Sequence, residues 1–171
     1  MPSQVHGRIG GVIDGFDVSA TIDQGRVYGR IGGLISGGDL NLIIDEVSGT
    51  ISGRIGGAMI GKSVDMEYGP DYVHGRVGGA IDGIDLNLNG VDSITGRCGG
   101  GVIGFDADLA VDRGMIAGRL GGRIIGNSVS VNLAEDLPPV VTALIAVLTH
   151  YYHKEMEERA SSGSHGGSHN S

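Results

Sequence analysis

A pentad, Gly-Arg-Ile-Gly-Gly, recurs six times along the chain, with Ile, Val, Cys or Leu at its third position. The copies begin at Gly7, Gly29, Gly53, Gly75, Gly96 and Gly118, at spacings of 22, 24, 22, 21 and 22 residues. A unit of this size cannot bury its apolar face alone, so its core must be shared with its neighbours. This periodicity restricts the fold more than any other property of the chain.

Aligned on the first pentad glycine, the units form columns of constant chemistry. Val5, Val27, Ile51, Val73, Ile94 and Ile116 stand two residues before it. Ile9, Ile31, Ile55, Val77, Cys98 and Leu120 stand two after, and Ile13, Ile35, Met59, Ile81, Val102 and Ile124 six after. Further on, Val18, Leu40, Val64, Leu86, Ala107 and Val129 alternate with Ala20, Leu42, Met66, Leu88, Leu109 and Val131. Apolar, polar, apolar at period two marks half-buried strands. Length varies only in Asp- and Gly-rich stretches before the next pentad, which read as surface loops.

Two architectures fit, a β-solenoid with one unit per coil or a meander of β-hairpins. The residue before the corner glycine is Ile60, Ile103 or Ile125 in three units. A two-residue hairpin turn would place it at positive φ, where a β-branched residue is strained. A three-residue turn would put Arg opposite the Leu column. The expectation is therefore all-β, a single-domain β-solenoid of six coils of about 22 residues over 5–133. The steps resemble the Val-x-Gly-x-Ile coils of bactofilins, polymer-forming bacterial β-helices, over residues 5–133. That resemblance implies a scaffolding role, although coil length and the terminal segment differ.

After Val131-Asn132-Leu133 the pattern stops, and Pro138-Pro139 opens an unbroken helical stretch. A helix over 137–159 is expected to cap the last coil, followed by a disordered Ser/Gly/His tail over 160–171. Its apolar half, Val140 to Leu148, is too short to span a bilayer. The N-terminal coil lacks a cap, so its open edge is the expected site of homo-oligomerisation.

Chemistry-bearing columns are few. Arg8, Arg30, Arg54, Arg76, Arg97 and Arg119 form one ladder. They either fork to carboxylates such as Asp23, Asp45 and Asp112 and to corner carbonyls, or bind an acidic polymer or glycan. A second ladder runs Asp17, Asp39, Ser63, Asp85, Asp106 and Ser128. Residues 78–86 are similar to the nonapeptide calcium repeats of secreted bacterial proteins, but Leu follows Asp directly and the middle glycine is missing, so no metal is expected. His150 and His153 read as a polar helix flank, and Cys98 as a small core hydrophobe. Gly61-Lys62-Ser63 is a repeat corner rather than a P-loop.

A net charge of −8 argues against nucleic acid. The N-terminus shows no secretory signal, and a cytoplasmic location is expected. No catalytic constellation and no cofactor are expected, and a membrane partner is disfavoured. The reading is a non-enzymatic, self-associating scaffold protein, with binding of an acidic polymer through the arginine ladder as the alternative.

Overall fold

The computed structural model describes residues 1–11, 13, 15–32, 37–57, 61–121 and 126–163. Within them lie twelve strands and one helix. The strands are β1 (Ser3–Ile9), β2 (Phe16–Asp23), β3 (Arg26–Gly32), β4 (Gly37–Asp45), β5 (Thr50–Gly56) and β6 (Gly61–Tyr68). They continue with β7 (Tyr72–Val77), β8 (Ile84–Asn89), β9 (Ser93–Gly99), β10 (Gly104–Asp112), β11 (Met115–Gly121) and β12 (Gly126–Asn132), and α1 (Pro139–Gly163) closes the chain. Every strand pairs antiparallel with its sequence neighbours, and β1 pairs with β12, so the sheet is a closed barrel.

The solenoid expectation is thus overturned: each repeat is a β-hairpin, and six hairpins make a ring. The likeness to bactofilins does not extend to the architecture. The length of the turn is the reason. In the fifth unit Gly99 pairs with Gly104, leaving a four-residue connection rather than one of two or three. An even count keeps the alternation in phase, so Cys98 meets Phe105 inside and Arg97 meets Asp106 outside. Ile103 then lies in the connection without positive φ, and the strain that argued against a hairpin never arises. At the opposite end, Gln24-Gly25 and Arg113-Gly114 take φ of 48° and 75°, and 52° and 76°. Positive φ at both central residues is the type I′ geometry suited to strand twist.

Register explains closure. Gly7 faces Val18 within its own hairpin but Val131 on the other side, and Gly29 faces Leu40 and Ala20. Each pentad glycine therefore steps two residues between its two neighbours, and the β12–β1 seam follows the same rule as the internal ones. A constant stagger of this kind tilts the strands and sets the barrel circumference. Glycine is required at the step. A Cβ on Gly53 would run into the Asn41 carbonyl oxygen and come 2.8 Å from the Leu42 Cα, and the residue takes φ 151°.

The helix does not cap an open end. It runs inside the barrel: every residue from Val140 to His153 is buried, and α1 touches strands around the ring, from β1 and β2 through β5, β7 and β9 to β11. Barrel interior and helix form one continuous core. An apolar surface on all sides of the helix is what a fully enclosed position demands. The helix also reaches Gly163, so residues 160–163, expected in the tail, are helical; 164–171 lie outside the described residues. Among the described residues no helix is long and apolar enough to cross a membrane. The wall is apolar within and polar without, the reverse of a lipid-embedded barrel.

Gly53→Val should destabilise the barrel by about 3 kcal/mol or more, because the backbone of β4 cannot withdraw. Gly57→Ala, whose Cβ meets nothing within 4 Å, should change stability by less than about 0.5 kcal/mol. Urea unfolding of the two variants checks the contrast.

Candidate interaction surfaces

The barrel has two unlike ends. At one, which we call the crown, the described hairpin connections lie at the end where α1 leaves the barrel; at the other, the variable loops and the N-terminus form a rim. The six arginines of the ladder sit on the outer wall beneath the crown. Register places all six opposite the second ladder, four against Asp and two, Arg54 and Arg119, against Ser. Arg8 meets Asp17 at 2.7 Å, Arg76 meets Asp85 at 2.8 Å, Arg97 meets Asp106 at 2.6 Å, and Arg30 meets Asp39 at 3.8 Å. The same guanidinium groups reach over the hairpin. Arg8 donates through Nε and Nη2 to the Gly11 carbonyl, Arg97 likewise to that of Gly100, and Arg76 donates to those of Gly79 and Gly83. Arg119 donates to the Gly126 carbonyl at 3.0 Å.

Arginine thus latches a strand to its own turn, and the two polar ladders form one girdle. The expected carboxylate partners Asp23, Asp45 and Asp112 lie at the opposite rim and take no part. Asp45 instead accepts from the Val47 and Ser48 amides. The Ser48 amide leads in holding the Asp45 carboxyl below its ordinary pKa. The sequence showed both ladders, but pairing them required the hairpin register.

The column expected to build part of the core proves exposed wherever it is described. Ile13 is 91% exposed, Ile81 100% and Val102 98%, and the neighbouring Ile103 is 79% exposed. Ile35, Met59 and Ile124 lie outside the described residues. The hairpin connections carry these side chains beyond the last inter-strand pairs, Ile9–Phe16, Val77–Ile84 and Gly99–Gly104, clear of the interior. Val47 and Val91 are also exposed at the opposite rim, but four strongly exposed aliphatic residues share the crown end, and such a cluster marks an interaction surface.

Charge differs between the ends. Near the crown, Arg8, Arg30, Arg54, Lys62, Arg76, Arg97, Arg119, Lys154 and Arg159 are balanced by Asp17, Asp39, Asp82, Asp85, Asp106, Glu155, Glu157 and Glu158. Lys62 bridges to Asp82 of the next hairpin at 3.0 Å, which lowers the Asp82 pKa. At the rim, Arg26 and Arg113 stand among Asp23, Asp45, Glu46, Asp71, Asp92, Asp112, Glu135 and Asp136.

Where α1 leaves the barrel its polar groups are buried. Tyr152 donates through its hydroxyl to the Gly37 carbonyl at 3.2 Å. His150 and His153 do not converge on a shared ligand. His150 meets the Phe105 ring edge-on at 4.5 Å and lies 3.4 Å from the Asn127 amide, whereas His153 lies 4.2 Å from the Phe16 ring and 3.4 Å from the Glu157 carboxylate. Among the described residues no three His, Cys, Asp or Glu side chains form a metal-binding group. Cys98 is enclosed in the core, where burial pushes its thiol up to about 12 and leaves it protonated. Compared with known proteins, the chain matches no family model, no curated protein and no solved structure.

Burial, aided by the nearby charges of Lys154 and His153, lowers the His150 pKa to about 4. Between the ordinary value of 6.5 and 4, the unfolded chain holds a proton on this ring that the folded chain refuses. Stability should therefore be fully present above pH 6.5 and fall by up to about 3 kcal/mol as the pH drops to 4. His150→Leu should flatten that part of the profile, measured by urea unfolding at successive pH values.

Proposed function

We propose that this protein is a non-enzymatic scaffold that associates with a second copy of itself through the crown. The observation that carries this reading is the near-complete exposure of Ile13, Ile81, Val102 and Ile103 on hairpin connections at one end of the barrel. Removing each aliphatic side chain from water is worth about 1.5–3 kcal/mol.

The charge distribution favours a crown-to-crown contact between copies. Two charge-balanced crowns meet without net repulsion, whereas two acidic rims repel. The open N-terminal coil first expected to mediate association does not exist, because β1 is paired with β12. Association therefore moves from a strand edge to the hairpin tips. A contact of this kind is isologous and closes as a two-fold dimer. The arginines give less support to an acidic-polymer strip, since four of them already face aspartates. A cytoplasmic location belongs to the same proposal.

Sedimentation velocity over a concentration series tests it. Wild type should form a reversible dimer, and Ile13→Ser/Ile81→Ser/Val102→Ser/Ile103→Ser should remain monomeric with an unchanged circular dichroism spectrum. A wild-type monomer at high micromolar concentration, or a dimer that survives the four substitutions, would contradict it.

A further inference from the structure

The repeat makes departures from it informative, and several converge on one stretch of wall. A groove of about 530 Å³ crosses β3, β4 and β5, with Arg26, Tyr28, Asn41, Ile43 and Arg54 on its walls and Gly53 among the residues beneath. Tyr28 and Ile43 are large apolar residues left about half exposed on the barrel wall. The position of Arg26 carries Gln4, Thr50, Tyr72, Ser93 or Met115 in the other units, and none of these is basic. The position of Tyr28 is otherwise filled by smaller or polar residues, His6, Ser52, His74, Thr95 and Ala117.

Arg54 departs in its partner. It pairs across the hairpin with Ser63, where four of the other girdle arginines face Asp. Neither Arg26 nor Arg54 forms an ion pair with a described residue. No carboxylate lines the groove. The equivalent groove one hairpin further on, about 550 Å³, is lined instead by Asp65 and Glu67 with Arg76 and His74.

We infer that the groove between β3 and β5 is a binding site for a small oxyanion carried on a flat apolar group, an aryl phosphate or aryl carboxylate. Arg26 and Arg54, neither of them held in an ion pair with a described residue, supply guanidinium donors for the anion. Tyr28 and Ile43 offer the ring and aliphatic surface for the apolar body, and Asn41 adds a neutral polar group between them. This site lies on the wall, away from the crown, and does not depend on self-association.

Amide chemical-shift titration of the full chain with phenyl phosphate and with benzoate tests it. Both should give saturable shifts confined to residues of β3, β4 and β5, with inorganic phosphate at least about tenfold weaker. Arg26→Gln/Arg54→Gln should weaken phenyl phosphate at least about tenfold, while Ile81→Ser/Val102→Ser should leave it unchanged. The inference is overturned if neither aryl ligand gives saturable shifts at about 10 mM. It is equally overturned if the arginine variant titrates like wild type, or if shifts spread evenly to Arg8, Arg76 and Arg97. Loss of dimerisation with phenyl phosphate binding intact would count against the scaffold reading alone.

Discussion

A ring of twelve strands is too wide for its own side chains to fill, since about eight strands already take up the interior with inward-facing residues. Everything else in this structure depends on how that space is occupied. An α-helix with side chains is about 10–12 Å across, and α1 supplies a cylinder that is apolar on all sides. Its continuous burial from Val140 to His153 replaces the core that a narrower barrel would build from strands alone. The pentad glycines contribute from the other side. Each occupies an inward-facing position between two aliphatic residues, so the wall can bend sharply and leave room for the helix.

This division of labour separates the two halves of the pentad. Glycine sets curvature and stagger, the aliphatic third residue packs inward, and arginine ties each strand to its own turn on the outside. Exposed ion pairs are individually worth little. The girdle matters more as geometry, because a guanidinium held by both an aspartate and a turn carbonyl fixes the approach of the crown connections. The described connections then present Ile13, Ile81, Val102 and Ile103 to water, above a wall that is mostly polar.

Much of this was legible in the residues. The six-fold repeat, the inward columns such as Val5, Ile9, Val18 and Ala20 and the variable loops are found where the pattern put them, whereas the apolar helix, expected as a cap, lies inside the barrel. Closure was not legible, because both a solenoid and a ring satisfy period-two alternation. The decision rested on Ile60, Ile103 and Ile125 before a glycine, and it failed because the turn was taken to be two or three residues long. A four-residue connection relieves Ile103 of strain and brings Arg97 opposite Asp106, and the column of Ile81 and Val102 lies on hairpin connections at the surface. The groove at Arg26, Tyr28, Ile43 and Arg54 was invisible for a related reason: these residues are neighbours only once β3, β4 and β5 are paired in register.

The central claim is that the two ends of the repeat meet and that the ring is closed. Backbone nuclear Overhauser effects between β1 and β12 test this most directly, because a six-coil solenoid holds those segments at opposite ends of a rod. Closure predicts cross-strand contacts linking Gly7 with Val131 and Ile9 with Val129, in the same antiparallel pattern as Gly29 with Ala20. Absence of those contacts in the folded protein, with β1 seen only against β2, would contradict the closed barrel.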